Sequence, residues 1–420
     1  MAMTSSIRLA LSSLTACLVL AGGARGQVYG PPAPAPPAPA PPAPAPPAPG
    51  GGQMQTTRAV KLATLDGTQE TPPKTTKGFG AGVLVVDESS GKVRGFVVTS
   101  GLVDPTAAHV HLAARGAPGA IIVPMTGGPD LWVVPDAAAP LTADQIAAFK
   151  TDGLYFNVHT KVNPDGEIRG QIDKAGSVQQ AGQMDKAGTV QQASLDGAQE
   201  TPPVMTAALG AGILSVDDTS GKAGGFIVTA GLTGTQAQVY QAARGTRGPI
   251  IVPLTGGPSL WVVPDGAGAL TPDQRAAFVA GGFYYEVHTT ANPNGEIRGQ
   301  LDKKGTLALA SLDGPQETPP VMTKAFGAGT LAVEPTTGQV SGFVVTSGLP
   351  TGNAAHVHQA ARGTPGAIIV PMVGAGNFWV IPDAAPAITN VQRTAFTAGQ
   401  LYENVHTPAN PNGEIRGQLD

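Results

Sequence analysis

Gly82-Val-Leu-Val-Val-Asp87, Glu88-Ser-Ser-Gly-Lys92 and Val93-Arg-Gly-Phe-Val-Val-Thr-Ser100 read in turn as strand, turn and strand. The same pattern continues outward. Ala108–Ala113 and Ala120–Pro124 are two further short apolar strands on either side of Arg115-Gly116, and Leu131–Val134 is another. Leu154–Thr160 and Glu167–Asp173 make a hairpin around Asn163-Pro164-Asp165-Gly166, where proline presets φ and glycine accepts a positive φ. One helix interrupts the strands, with Thr142 as N-cap, Asp144 at its positive end, Ile146 and Phe149 toward the core and Gly153 as the stop. Seven or eight short strands and one helix in a unit of about 115 residues predict an all-β fold, an antiparallel β-sandwich or small barrel.

The unit occurs three times. Ser/Thr-Leu-Asp-Gly-x-Gln-Glu-Thr-Pro-Pro stands at 64–73, 194–203 and 311–320, and Asn-Pro-Asp/Asn-Gly-Glu-Ile-Arg-Gly-Gln at 163–171, 292–300 and 410–418. The first two Glu-Thr-Pro-Pro blocks are 130 residues apart and the next two 117. A local duplication accounts for the difference, because Asp173-Lys-Ala-Gly-Ser-Val-Gln-Gln returns 12 residues later from Asp185. The domains are therefore placed at 58–173, 189–302 and 306–420, with linkers at 174–188 and 303–305. So long a period predicts separate domains in series, not a solenoid.

These blocks resemble the chordin-type domain, CHRD, of bacterial exported proteins and animal chordin. The resemblance is carried by the Leu-Asp-Gly-x-Gln-Glu-Thr-Pro-Pro start, Gly-Phe-Val-Val-Thr-Ser-Gly-Leu at 95–102, Ala108-His-Val-His111 and the stretch from Asn157-Val-His-Thr160 to Gln171. It covers nearly the full length of all three copies, about four fifths of the chain. It implies an exported domain without a settled activity. Growth-factor binding in chordin belongs to separate cysteine-rich modules, which this chain lacks, so that activity is not carried over.

Residues 1–26 read as an export signal: Arg8, an apolar run from Leu9 to Leu20, and small residues in Ala24-Arg25-Gly26. Leu14-Thr15-Ala16-Cys17 is an alternative lipobox, which would leave Cys17 lipidated, although the apolar run continues past it. Residues 27–57 form a disordered spacer whose proline-alanine stretch at 31–49 favours polyproline II. Cleavage after Gly26 leaves no cysteine, which excludes disulfides, thiolate metal sites and a cysteine nucleophile. Loss of Arg8 and Arg25 takes the formal charge from −4 to −6. Without a basic run, neither nucleic acid nor an anionic membrane is a partner, and a membrane is met only through the signal or a lipid anchor.

All seven histidines occupy three repeat positions: His109, His111 and His159 in copy 1; His356, His358 and His406 in copy 3; His288 alone in copy 2. Residues i and i+2 of a strand share a face, so His109 and His111 can turn both rings to one ion, with His159 as third ligand. Three neutral imidazoles suit copper or zinc. The alternative is a polar groove whose histidines bond to backbone or to Asn157. Glu70, Glu167 and Arg169 recur as Glu200, Glu296 and Arg298 and as Glu317, Glu414 and Arg416. They are read as ion-pair networks stitching first strand to last. Aromatics are 5% of the chain, and no nucleophile elbow, phosphate loop or dinucleotide fingerprint is present, so no enzyme is expected. The expected protein is a secreted, periplasmic or surface module that binds an unidentified protein or surface ligand. The alternative is a copper- or zinc-binding protein of the same compartment.

Overall fold

The computed structural model describes residues 58–177, 190–349 and 351–420. The expected export signal at 1–26 with Cys17, the expected spacer at 27–57 and residues 178–188 of the expected first linker lie outside the described residues. The first copy runs β1 (Arg58–Asp66), β2 (Phe79–Asp87), β3 (Val93–Ser100), β4 (Pro105–Leu112), β5 (Ala120–Pro124), β6 (Thr126–Gly127), β7 (Leu131–Val133), α1 (Ala143–Lys150), β8 (Leu154–Thr160), β9 (Ile168–Gln171) and β10 (Lys174–Ser177). All pairings are antiparallel. A front layer β5-β4-β8-β9 and a back layer β1-β2-β3-β7-β6 join where Asp66 pairs with Arg169, so one continuous sheet folds over on itself as a barrel-like sandwich. The other copies join at the same place, through Asp196–Arg298 and Asp313–Arg416.

Each copy has its own core between its two layers. In copy 1 Leu84, Val97, Val110, Trp132, Phe149 and Phe156 meet there. Helix α1 seats Phe149 against them, and Thr142 caps it in a reciprocal box with Gln145. The helix does not stop at Gly153 as predicted. Asp152 is the residue in left-handed conformation, at φ 61°, and glycine stands there in the other copies, at Gly281 and Gly399. Lys61 reaches across to the same corner, donating to Phe149 O at 2.6 Å and to the Asp152 carboxylate at 2.5 Å.

The back layers are apolar on both faces. Along β2, Leu84 and Val86 face their own core while Val83 and Val85 face the other way, into a second core shared by all three copies. At its centre the rings of Phe96, Phe226 and Phe343 meet edge to face, with centroids 6.1, 6.3 and 6.3 Å apart. The polar contacts around it circulate. Thr64 donates to Val263 O, Ser194 to Ile381 O and Ser311 to Val134 O, at 2.7, 2.5 and 2.5 Å. Arg115 pairs with Asp265, Arg244 with Asp383 and Arg362 with Asp136, at 2.9, 2.7 and 2.8 Å. Copy 1 thus leans on copy 2, copy 2 on copy 3 and copy 3 on copy 1, a closed ring of head-to-tail contacts within one chain.

Separate domains in series are therefore not what forms. A sheet with two apolar faces leaves one of them bare in an isolated copy, and the ring buries it. The linkers take part. β10 pairs with β1, and Lys303–Lys304 pair with Gln191 and Gln192. Lys174 reaches Asp265 at 2.8 Å and Lys303 reaches Asp383 at 3.6 Å. At the third junction, Lys92 and Arg94 of copy 1 bind Asp420 at 2.5 and 2.9 Å. Arg94 also holds Asp136, at 2.5 Å.

Candidate metal centre

The front layer turns Val110, Phe156 and Val158 inward, so the alternate residues of β4 and β8 face outward. There Ala107 lies opposite His159, His109 opposite Asn157, and His111 opposite Tyr155. The predicted sharing of one face by His109 and His111 holds, and His159 joins them diagonally. Ligating nitrogens of the three rings lie within 4.8 Å of one another, as do those of His356, His358 and His406 in copy 3.

Backbone carbonyls set the tautomers. His111 Nδ1 lies 3.0 Å from Gly119 O, and His159 Nδ1 lies 2.9 Å from Pro164 O. A carbonyl only accepts, so both Nδ1 atoms carry hydrogen and both Nε2 atoms are acceptors. His109 Nδ1 then donates to His159 Nε2 at 3.0 Å, while His111 Nε2 is buried without a partner. Copy 3 repeats the set, with His356 to His406, His358 to Gly366 O and His406 to Pro411 O at 3.0 Å each. Gly119 is required where it is, because a Cβ on it would lie 2.1 Å from Leu112 O.

Burial, then the neighbouring rings of His159 and His111, hold His109 at about 4, and His356 is likewise held at about 4. The other four rings are lowered as well, burial being the largest cause. All six imidazoles are therefore neutral at pH 7, as metal ligation requires. Imidazole nitrogens on a tetrahedral zinc are about 3.3 Å apart, so His109 and His159 stand near ligand spacing and the third ring needs to close by about 1.5 Å. The carbonyl anchors on His111 and His159 are what fixes ring orientation in established metal sites. The residues fit a copper or zinc ion.

Copy 2 places Gln238, Tyr240 and His288 at these positions. The single hydroxyl hydrogen of Tyr240 has two acceptors in reach, His288 Nε2 at 3.1 Å and Gln238 Oε1 at 3.2 Å, so a phenol covers the nitrogen whose counterparts face the other rings in copies 1 and 3.

The expected ion-pair networks do not form. Arg169 donates to Ala117 O at 2.9 Å and Ala114 O at 3.1 Å, and its guanidinium lies 3.5 Å from the Tyr155 ring centroid. Tyr155 in turn stacks on His111 at 4.8 Å. Arg298 and Arg416 do the same on Tyr284 and Tyr402. The reason is register: β8 stands between the arginine and the histidine, and its tyrosine fills the space between them. The arginine thus supports the site through an aromatic ring. Glu167 instead accepts from Thr76, Thr160 and Asn163 at 2.5, 2.5 and 3.1 Å, bracing the turn that carries Pro164. Glu296 and Glu414 repeat this with Thr289 and Thr407. Glu70, Glu200 and Glu317 lie buried behind that turn. Burial drives their carboxyls up to about 7, 8 and 7, against the opposing pull of Arg169, Arg298 and Arg416.

The tyrosines were missed by sequence reasoning. Their recurrence two residues before Asn157, Glu286 and Asn404 was the signal, since period two puts them on the histidine face. A family model for the CHRD domain matches residues 62–172, 191–301 and 308–419. No curated protein and no solved structure matches the chain.

Proposed function

The chain belongs to the CHRD domain family, and on that premise we propose that it is an exported, non-enzymatic metal-binding protein with one copper or zinc site in copy 1 and one in copy 3. CHRD domains are typically extracellular, and three of them indicate a binding or interaction module. Among the described residues no helix is long and apolar enough to cross a membrane. Export rests on the signal read at 1–26, with the lipidated Cys17 as its variant. One observation carries the metal reading: three neutral imidazoles converge within 4.8 Å twice, with the carbonyl-anchored rings aiming Nε2 at the meeting point. His109 and His356 would bind through Nδ1, after their ring hydrogen moves to Nε2 and the bond to His159 or His406 is given up, and the other four through Nε2. A bound copper would supply a redox-active centre with a position left for an exogenous ligand.

Calorimetric titration of the full chain with Cu(II) and with Zn(II) tests this. The expected result is two equivalents bound with sub-micromolar Kd. His109→Ala/His111→Ala removes one, and adding His356→Ala/His358→Ala removes both. Absence of saturable sub-micromolar binding to the intact chain overturns the reading and leaves an interaction module with polar grooves.

A further inference from the structure

The outward face of the front layer is a grid, and its centre is not a histidine. Asn157 lies directly opposite His109, two residues before His159 and diagonal to His111. The three imidazoles therefore border position 157 on its β4 side and along β8, with Arg169 across from it on β9, and in copy 3 they border Asn404 in the same way. Both asparagines are buried, with 4% and 3% of their surface exposed, and the carboxamide oxygen of each has no hydrogen-bond partner. A buried acceptor left in this way is destabilising unless a donor meets it. The other end of the amide is held: Asn404 Nδ2 donates to Glu317 Oε1 at 2.7 Å.

Copy 2 shows where a side chain at this position reaches. Glu286 stands in place of the asparagine, and its Oε1 lies 3.5 Å from His288 Nε2, the atom whose counterparts face the ion. The asparagine is also replaced together with the two strand histidines, by Glu286, Gln238 and Tyr240. Position, orphaned oxygen and joint replacement are three separate observations on one residue.

We infer that Asn157 and Asn404 are part of the two centres, each carboxamide accepting a hydrogen bond from the water or other donor that fills the coordination position left by the imidazoles. They are positioning residues. A neutral amide orients that ligand without adding charge, whereas the glutamate of copy 2 would ligate or titrate. This rests on the metal reading.

The test starts from the full native chain titrated with Cu(II), where two equivalents establish the centres and none overturns both readings. Asn157→Leu with Asn404→Leu then weakens Cu(II) binding by about 10- to 100-fold and alters the Cu(II) electron paramagnetic resonance spectrum. Asn157→Gln with Asn404→Gln, which retains a neutral carboxamide, keeps most of the affinity. Native affinity and spectrum in the leucine chain overturn the inference. Copy 2 offers an independent arm that leaves Asn157 and Asn404 untouched. Gln238→His/Tyr240→His/Glu286→Asn creates a third site with the native spectrum, while Gln238→His/Tyr240→His alone gives a different spectrum. Identical third-site spectra with Glu286 and with asparagine also overturn it.

Discussion

Replacing Phe226 by alanine tests whether the three copies are one folding unit. The Phe226 ring is fully buried and touches Phe96 and Phe343 at 6.1 and 6.3 Å, so the cavity it leaves lies between copies and not inside one. A phenylalanine-to-alanine change in a core costs about 3–5 kcal/mol. Unfolding entropy of about 2.1 cal/mol/K per residue over about 350 ordered residues gives roughly 0.7 kcal/mol/K, so a shared transition falls by about 4–7 °C. Differential scanning calorimetry reads this directly. One cooperative unit has a calorimetric enthalpy of about 250 kcal/mol near 60 °C and an equal van't Hoff value, whereas three independent copies give a van't Hoff value of roughly a third of that. If only copy 2 depended on Phe226, its own transition would fall by about 12–20 °C and the others would stay in place. Three transitions with one displaced, or no displacement at all, refute the shared core.

Arg94→Ala removes the cation that holds both Asp136 and Asp420 at the junction of copies 3 and 1. Lys92 and Arg362 still reach Asp420, and Asp136 is partly exposed, so the expected cost is about 1–3 kcal/mol, read as a lower denaturant midpoint. Burial pushes the Asp420 carboxyl up, but Arg94, Lys92 and Arg362 outweigh it and hold it below its ordinary value. That stabilisation is present above the unfolded value of 3.8 and is lost as pH falls through the lower folded value, so the Arg94→Ala deficit shrinks in acid. Glu403 occupies the core position of Phe156 and Tyr285, fully buried, with neither carboxylate oxygen partnered. Burial drives its carboxyl far up, so its stability is greatest below the unfolded value of 4.5 and falls by roughly 1.4 kcal/mol per pH unit above that, until the folded value is reached. Glu403→Phe is expected to stabilise the chain by about 1–3 kcal/mol at neutral pH and to abolish this pH slope in thermal melts, and a destabilised variant would refute the reasoning.

Local chemistry made the strands legible. Alternation, turn residues and β-branched runs act over a few positions, so Val93–Ser100, Ala120–Pro124 and Leu154–Thr160 could be placed from the sequence alone, and His109 and His111 could be put on one face. Recurrent motifs marked three copies for the same reason. The ring was not legible in that way, although the unbroken apolar run Val83–Val86 carried its signature, because a strand with two apolar faces does not say what covers the second. Nor could spacing show that β8 would stand between Arg169 and His111, turning expected ion pairs into a stack of guanidinium, phenol and imidazole. Register across strands decided that, and it also set His159, already offered by the sequence as a third ring, beside His109 and placed Asn157 next to them. Such contacts join residues about 50 positions apart, and only the pairing of β4 with β8 brings them together.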